Sequence, residues 1–142
     1  MQNSLVDGTV LGLDIGDSRI GIARAHTFAK LPEPVTVLDA LKNDPFTQIA
    51  HLIKDTDAQA LIIGLPKLAS GSDSDQTLKV RAFVAKLAST ISLPMYFVDE
   101  AYSSQDADKY IRQQQPKIAS NDAIAACVIL ERYFRFEGVT NV

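Results

Sequence analysis

Cysteine is nearly absent from this 142-residue chain. The single one, Cys127, excludes an internal disulfide framework and a cysteine-rich zinc site, and it suits a reducing compartment. It reads as a small core residue. Histidine is scarce too: His26 and His51 have no metal-ligand company, and His51 falls off the apolar stripe of its segment, a surface position. No apolar run approaches the length of a membrane span, and Met1 to Thr9 is polar, without a hydrophobic signal region. The expectation is a cytoplasmic protein that does not engage a membrane. Excess positive charge is also missing. The formal net charge of −3 argues against holding nucleic acid by bulk charge. That objection weakens if carboxylates hold metal, because two divalent cations would more than cancel it. Neither internal repeats nor low-complexity tracts occur, and the length fits one domain, residues 1–142.

What is present is regular punctuation. Val10 to Ile15 and Arg19 to Ala23 are short branched-apolar runs around Gly16-Asp17-Ser18, the pattern of an antiparallel hairpin. Pro32 and Pro34 interrupt the chain before a third strand at Val35 to Leu38. Asp44-Pro45 predicts a helix start, an acid at the N-cap and proline at the first helical position. Ala60 to Leu65 reads as a strand buried on both faces. Val80, Phe83, Val84, Leu87 and Ala88 form the stripe of a second helix, and Pro94 to Val98 is the last strand. A helix starts near the Ser103/Asp106 spacing and ends at Pro116, and a final helix runs from an N-cap at Ser120 to about Phe136. The order predicts an α/β fold. Its mixed five-stranded sheet has three antiparallel strands followed by parallel ones, with helices on both faces.

Three acids stand at the junctions of these elements: Asp14 near the end of the first strand, Glu100 after the last, and Asp122 in the first turn of the final helix. Singly, each has a plain structural reading: a local turn bond, a solvated strand exit, a complement to the helix dipole. Asp14 fits its plain reading least well. It is flanked by Leu11, Leu13 and Ile15, and a carboxylate buried there must neutralise or find a partner. Asp122 shares a helix face with Ala125, Ala126 and Ile129, small enough in part for close approach to the sheet. Oxygen ligands without a histidine or cysteine cluster suit Mg²⁺ or Mn²⁺ rather than zinc. Two such ions can clamp the attacking and leaving oxygens of a phosphodiester displacement.

Four blocks, "LGLDIGDSRIGIA" (Leu11 to Ala23), "LIIGLP" (Leu61 to Pro66), "VDEAYSSQDAD" (Val98 to Asp108) and "SNDAIAACVILERYF" (Ser120 to Phe134), resemble the YqgF/RuvX family in order along nearly the whole chain. Members are described as Holliday junction resolvases and as the nuclease that finishes the 5′ end of pre-16S ribosomal RNA. The resemblance implies a ribonuclease H-like fold related to the RuvC resolvases. It implies catalytic, metal-binding acids at Asp14, Glu100 and Asp122, with Asp14 between two ions, and hydrolysis that leaves a 5′-phosphate. The chain departs from the family where Asp-Glu-Arg is usual: Ala101 follows Glu100, so a natural phosphate contact is missing. Ser103 and Ser104 keep the hydroxyls of the threonines they replace.

Nucleic-acid contacts are expected at Arg19, Lys67, Ser103 and Ser104. For Arg19 a salt bridge to a nearby carboxylate is an equal alternative to a phosphate contact. Lys109, Arg112, Lys117, Arg132 and Arg135 read first as solvated charges. The expected partner is nucleic acid, structured RNA ahead of a DNA junction, handled by a monomer or weak homodimer. A nucleic-acid-binding module with lost activity is the competing reading. An actin-like ATPase needs two such domains, which this length does not supply.

Overall fold

The computed structural model describes residues 7–100 and 121–142. The elements run β1 (Thr9–Ile15), β2 (Arg19–His26), β3 (Glu33–Asp39), α1 (Pro45–Thr56), β4 (Ala58–Leu65), α2 (Asp75–Thr90), β5 (Met95–Asp99), α3 (Asn121–Phe134) and β6 (Val139–Asn141). The helix expected over 103–116 and the N-cap expected at Ser120 lie outside the described residues.

The sheet order is β3-β2-β1-β4-β5-β6. β1, β2 and β3 are antiparallel neighbours, whereas β4 pairs parallel with β1 and with β5. The sheet has six strands among the described residues, one more than the five expected. The extra strand, β6, pairs antiparallel with the outer edge of β5. It is created by a turn in which Phe136 and Gly138 both take left-handed φ, +58° and +64°, so α3 stops at Phe134 and the chain folds back. The hairpin turn forms as expected, with Gly16 N–H donating to Arg19 O at 2.9 Å. Pro34 is accommodated in β3 because that strand lies at the sheet edge, beside a register shift.

Helix starts follow local chemistry. Asp44 accepts from Phe46 N–H at 3.1 Å and Pro45 occupies the first turn of α1. Ser74 and Thr77 form a capping box on α2, and the buried Thr77 hydroxyl also donates to Pro66 O, tying this helix to the end of β4.

The two faces of the sheet differ in side-chain size. Leu11, Leu13, Ile20, Ile22, Leu61 and Ile63 face α1 and α2 and meet Ile49, Val80, Val84 and Leu87. The opposite face carries Ala23, Ala25 and Ala60 with glycines at 12, 21 and 64, and α3 alone packs against it among the described helices. An added Cβ at Gly12 would stand 2.8 Å from both Ala126 O and Leu130 Cγ, so α3 sits nearly on the strand backbone. Close packing of this kind fixes the height and register of the helix over the sheet. Among the described residues no helix is long and apolar enough to cross a membrane.

Candidate active site

Asp14 occupies the small-residue face of β1, in line with Val10 and Gly12. Its neighbour on β2 is Gly21. Its neighbour on β4 is Gly64, one step beyond the Leu13–Ile63 pair. Each of these glycines lies directly beneath one of the other two acids. A Cβ on Gly21 would fall 2.0 Å from the backbone oxygen of Asp122, and one on Gly64 would fall 2.3 Å from Glu100 Oε2. Asp14 is therefore flanked by Asp122 on one side and by Glu100 on the other. The missing Cβ atoms at 21 and 64 are what let both approach.

Three strand ends and one helix start supply the geometry. β5 ends at Asp99, and Glu100 N–H donates to Leu65 O at 3.2 Å, which prolongs the β4–β5 ladder by one residue. Glu100 is 8% exposed, and among the described residues its Oε2 has no hydrogen-bond partner. Asp122 lies in the first turn of α3, where the helix dipole favours an anion.

The electrostatics are those of negative charge without enough compensation. Burial, and then the neighbouring Asp122, push the Asp14 carboxyl from its ordinary 3.8 up to about 6. Burial, and then Asp14, push Glu100 well above the usual carboxylate range, while Arg132 opposes the rise. Two buried acids that repel one another form a site that gains from a cation. Among the described residues, no three His, Cys, Asp or Glu side chains are drawn together closely enough to hold one ion. Asp122 is turned to Arg19, with Nε to Oδ2 at 2.8 Å. The donor set, carboxylates only, with one buried oxygen orphaned, suits a hard divalent cation.

The basic residues divide. Arg19, at the first position of β2, pairs with Asp122. Lys67, just past β4, lies 3.7 Å from Asp99 Oδ1 on the same rim as Glu100. Ser103, Ser104, Ala101, Lys109, Arg112 and Lys117 lie outside the described residues. Arg135 pairs with Glu137 at the surface. Arg132, read from sequence as a solvated charge, instead points inward and donates from Nη1 to Asp99 O at 3.1 Å. Together with Asp99 N–H to Gly138 O at 3.2 Å, it pins the strand end that carries Glu100. His51 is exposed and Cys127 buried, as expected.

Gly21, Gly64 and Arg132 are the residues of this site that sequence reading missed. The signal available was the glycine inside each apolar strand, which marks a close backbone approach.

A family model described as "RuvX: Holliday junction resolvase" matches residues 8–136. The chain belongs to the RuvX family. A protein named "Putative pre-16S rRNA nuclease" from Dechloromonas aromatica (strain RCB) is 36% identical over 132 residues, covering 89% of this chain and 90% of that one. One of the same name from Legionella pneumophila (strain Lens) is 35% identical over 133 residues, covering 90% and 96%. Among solved structures, RuvC of T. thermophilus in complex with a Holliday junction substrate matches with a TM-score of 0.60 at 11% identity, covering 95% of this chain and 99% of that one. This likeness makes the fold of the RuvX chain ribonuclease H-like.

Proposed function

We propose that this RuvX-family chain is a metal-dependent nuclease whose Asp14, Glu100 and Asp122 hold two Mg²⁺ or Mn²⁺ ions, and that it trims the 5′ end of pre-16S ribosomal RNA in the cytoplasm. The observation that carries the reading is the crowding of acids: Glu100 Oε2 is buried over Gly64 with no hydrogen-bond partner among the described residues, and burial and mutual repulsion raise Asp14 and Glu100 above ordinary carboxylates. Bound divalent ions supply there the charge that activates a water and steadies the leaving oxygen of an in-line displacement.

The chain's own residues do the positioning. Asp14, on the rigid centre of the sheet between the other two acids, would contribute to holding the ions. Glu100 is held at one side by the pinned end of β5, and Asp122 at the other by the first turn of α3. Lys67 stands on the rim where a phosphodiester backbone would pass. Ser103 and Ser104 are assigned the same task from sequence. The substrate is taken from the names of these relatives.

The description of the family favours a second reading, resolution of Holliday junctions by the same chemistry. A resolvase acts as a symmetric dimer that cuts two strands, whereas a monomer or weak homodimer suits RNA trimming. The test is cleavage of a 5′-extended 16S precursor and of a four-way DNA junction, each with Mg²⁺ or Mn²⁺, by wild type and Asp14→Asn. Metal-dependent trimming of the RNA that the variant lacks supports the proposal. Equal activity of the two proteins refutes it, and cleavage of the junction alone moves the assignment to the second reading.

A further inference from the structure

The ion pair between Arg19 and Asp122 couples two functions that were read separately from sequence. Arg19 and Gly21 lie two residues apart on one face of β2, and the Asp122 backbone rests on Gly21, so Arg19 meets the carboxylate without leaving its own strand. Asp122 thus stands between a guanidinium 2.8 Å away and Asp14, its neighbour across Gly21. The Arg19 side chain is 67% exposed and that of Asp122 31%, so their pairing is weak enough to exchange. The planar fork that grips a carboxylate grips a phosphate equally well.

Building on the reading of Asp122 as a cation ligand, we propose that Arg19 is a phosphate-binding residue that Asp122 holds in this structure and releases when it turns to a cation. Metal loading and grip on the nucleic-acid backbone are then linked through one side chain. The linkage is reciprocal: nucleic acid tightens cation binding by the same factor as the cation tightens nucleic-acid binding. Empty of metal, the protein does not commit its hairpin arginine to a strand it is unable to cut.

Two titrations test this. The first is Mn²⁺ binding without nucleic acid, followed by thermal unfolding and calorimetry on wild type, Arg19→Gln, Lys67→Gln and Asp14→Asn. Losing the competing pair, Arg19→Gln is expected to bind Mn²⁺ about two- to fivefold more tightly than wild type, the scale of a partly exposed ion pair. Lys67→Gln removes a charge from the same rim without touching Asp122 and is expected to change Mn²⁺ binding less. The second is fluorescence anisotropy of a labelled RNA duplex at fixed ionic strength, with and without Ca²⁺. Wild type is expected to gain affinity with the cation, and Arg19→Gln to gain little. Arg19→Lys, which keeps the charge without the fork, is expected to stay near wild type in Mn²⁺ affinity and to lose part of the duplex gain. Unchanged or weaker Mn²⁺ binding by Arg19→Gln overturns the proposal, as does equal tightening in Lys67→Gln. Stabilisation by Mn²⁺ that is absent in wild type or retained in Asp14→Asn sinks the metal site itself, a separate and recognisable failure.

Discussion

Gly64→Ala adds one methyl group at the point where the floor of the site meets its ceiling. The new Cβ would lie 2.3 Å from Glu100 Oε2 and 2.5 Å from Ile129 Cδ1, both far inside contact distance. Ile129 is fully buried between α3, to which it belongs, and the sheet, whereas Glu100 Oε2 has no hydrogen bond to hold it among the described residues, so the displacement falls mainly on the carboxylate. Overpacking of this kind costs about 1–3 kcal/mol, a drop in melting temperature of roughly 3–12 °C for a domain of this size. Activity should fall further than stability, by about 10²-fold, because a displacement near 1 Å at the reacting centre is enough for that. Gly12→Ala is the control. Its Cβ meets Ala126 O and Leu130 Cγ at 2.8 Å but no acid, so it should destabilise comparably with a smaller kinetic loss. The assay is steady-state cleavage of a labelled precursor RNA, well below both melting temperatures, with circular dichroism to certify folding. A folded Gly64→Ala protein that cleaves at the wild-type rate would refute the placement of Glu100 as a catalytic ligand.

Three further outcomes follow from the same geometry. In the metal-free protein Asp14 titrates near 6 instead of 3.8, so its charged form disfavours the fold: the penalty is fully present above pH 6 and disappears as pH falls toward 4. Asp14→Asn should therefore be more stable than wild type in EDTA at pH 8, by up to about 3 kcal/mol at 1.36 kcal/mol per pH unit, and the gap should close at low pH in urea unfolding curves. Arg132→Gln removes the hydrogen bond to Asp99 O and the charge that counters Glu100, and should cost about 1.5–3 kcal/mol, whereas a stability equal to wild type would deny the inward role of Arg132. Asp44→Ala removes the cap of α1, remote from the acids, and should cost about 1 kcal/mol with cleavage by the folded protein unchanged.

Local chemistry made much of this architecture legible. The Asp44-Pro45 start, the Gly16 turn and the buried run Ala60 to Leu65 of β4 each follow from a few neighbouring residues. Asp14 stood out because a carboxylate within Leu11, Leu13 and Ile15 conflicts with its surroundings, and conflicts of that kind collect at functional sites. Tertiary facts were not legible. Gly21 and Gly64 each signal a close approach to the strand, but nothing near them in sequence says that the helix and the carboxylate are what approach. Arg132 has the local pattern of a surface charge, and only the docking of α3 beside β5 turns it toward Asp99 O. β6 is three residues long with no alternation to read, and it exists because left-handed turns at Phe136 and Gly138 deliver it to an open strand edge.

Anomalous diffraction from crystals grown with Mn²⁺ probes the central claim most directly. The account predicts metal density within about 2.0–2.5 Å of carboxylate oxygens from Asp14, Glu100 and Asp122 together, with Asp122 turned away from Arg19. Density confined to other surfaces, with Glu100 Oε2 still unpartnered and Asp122 still on Arg19, would contradict it.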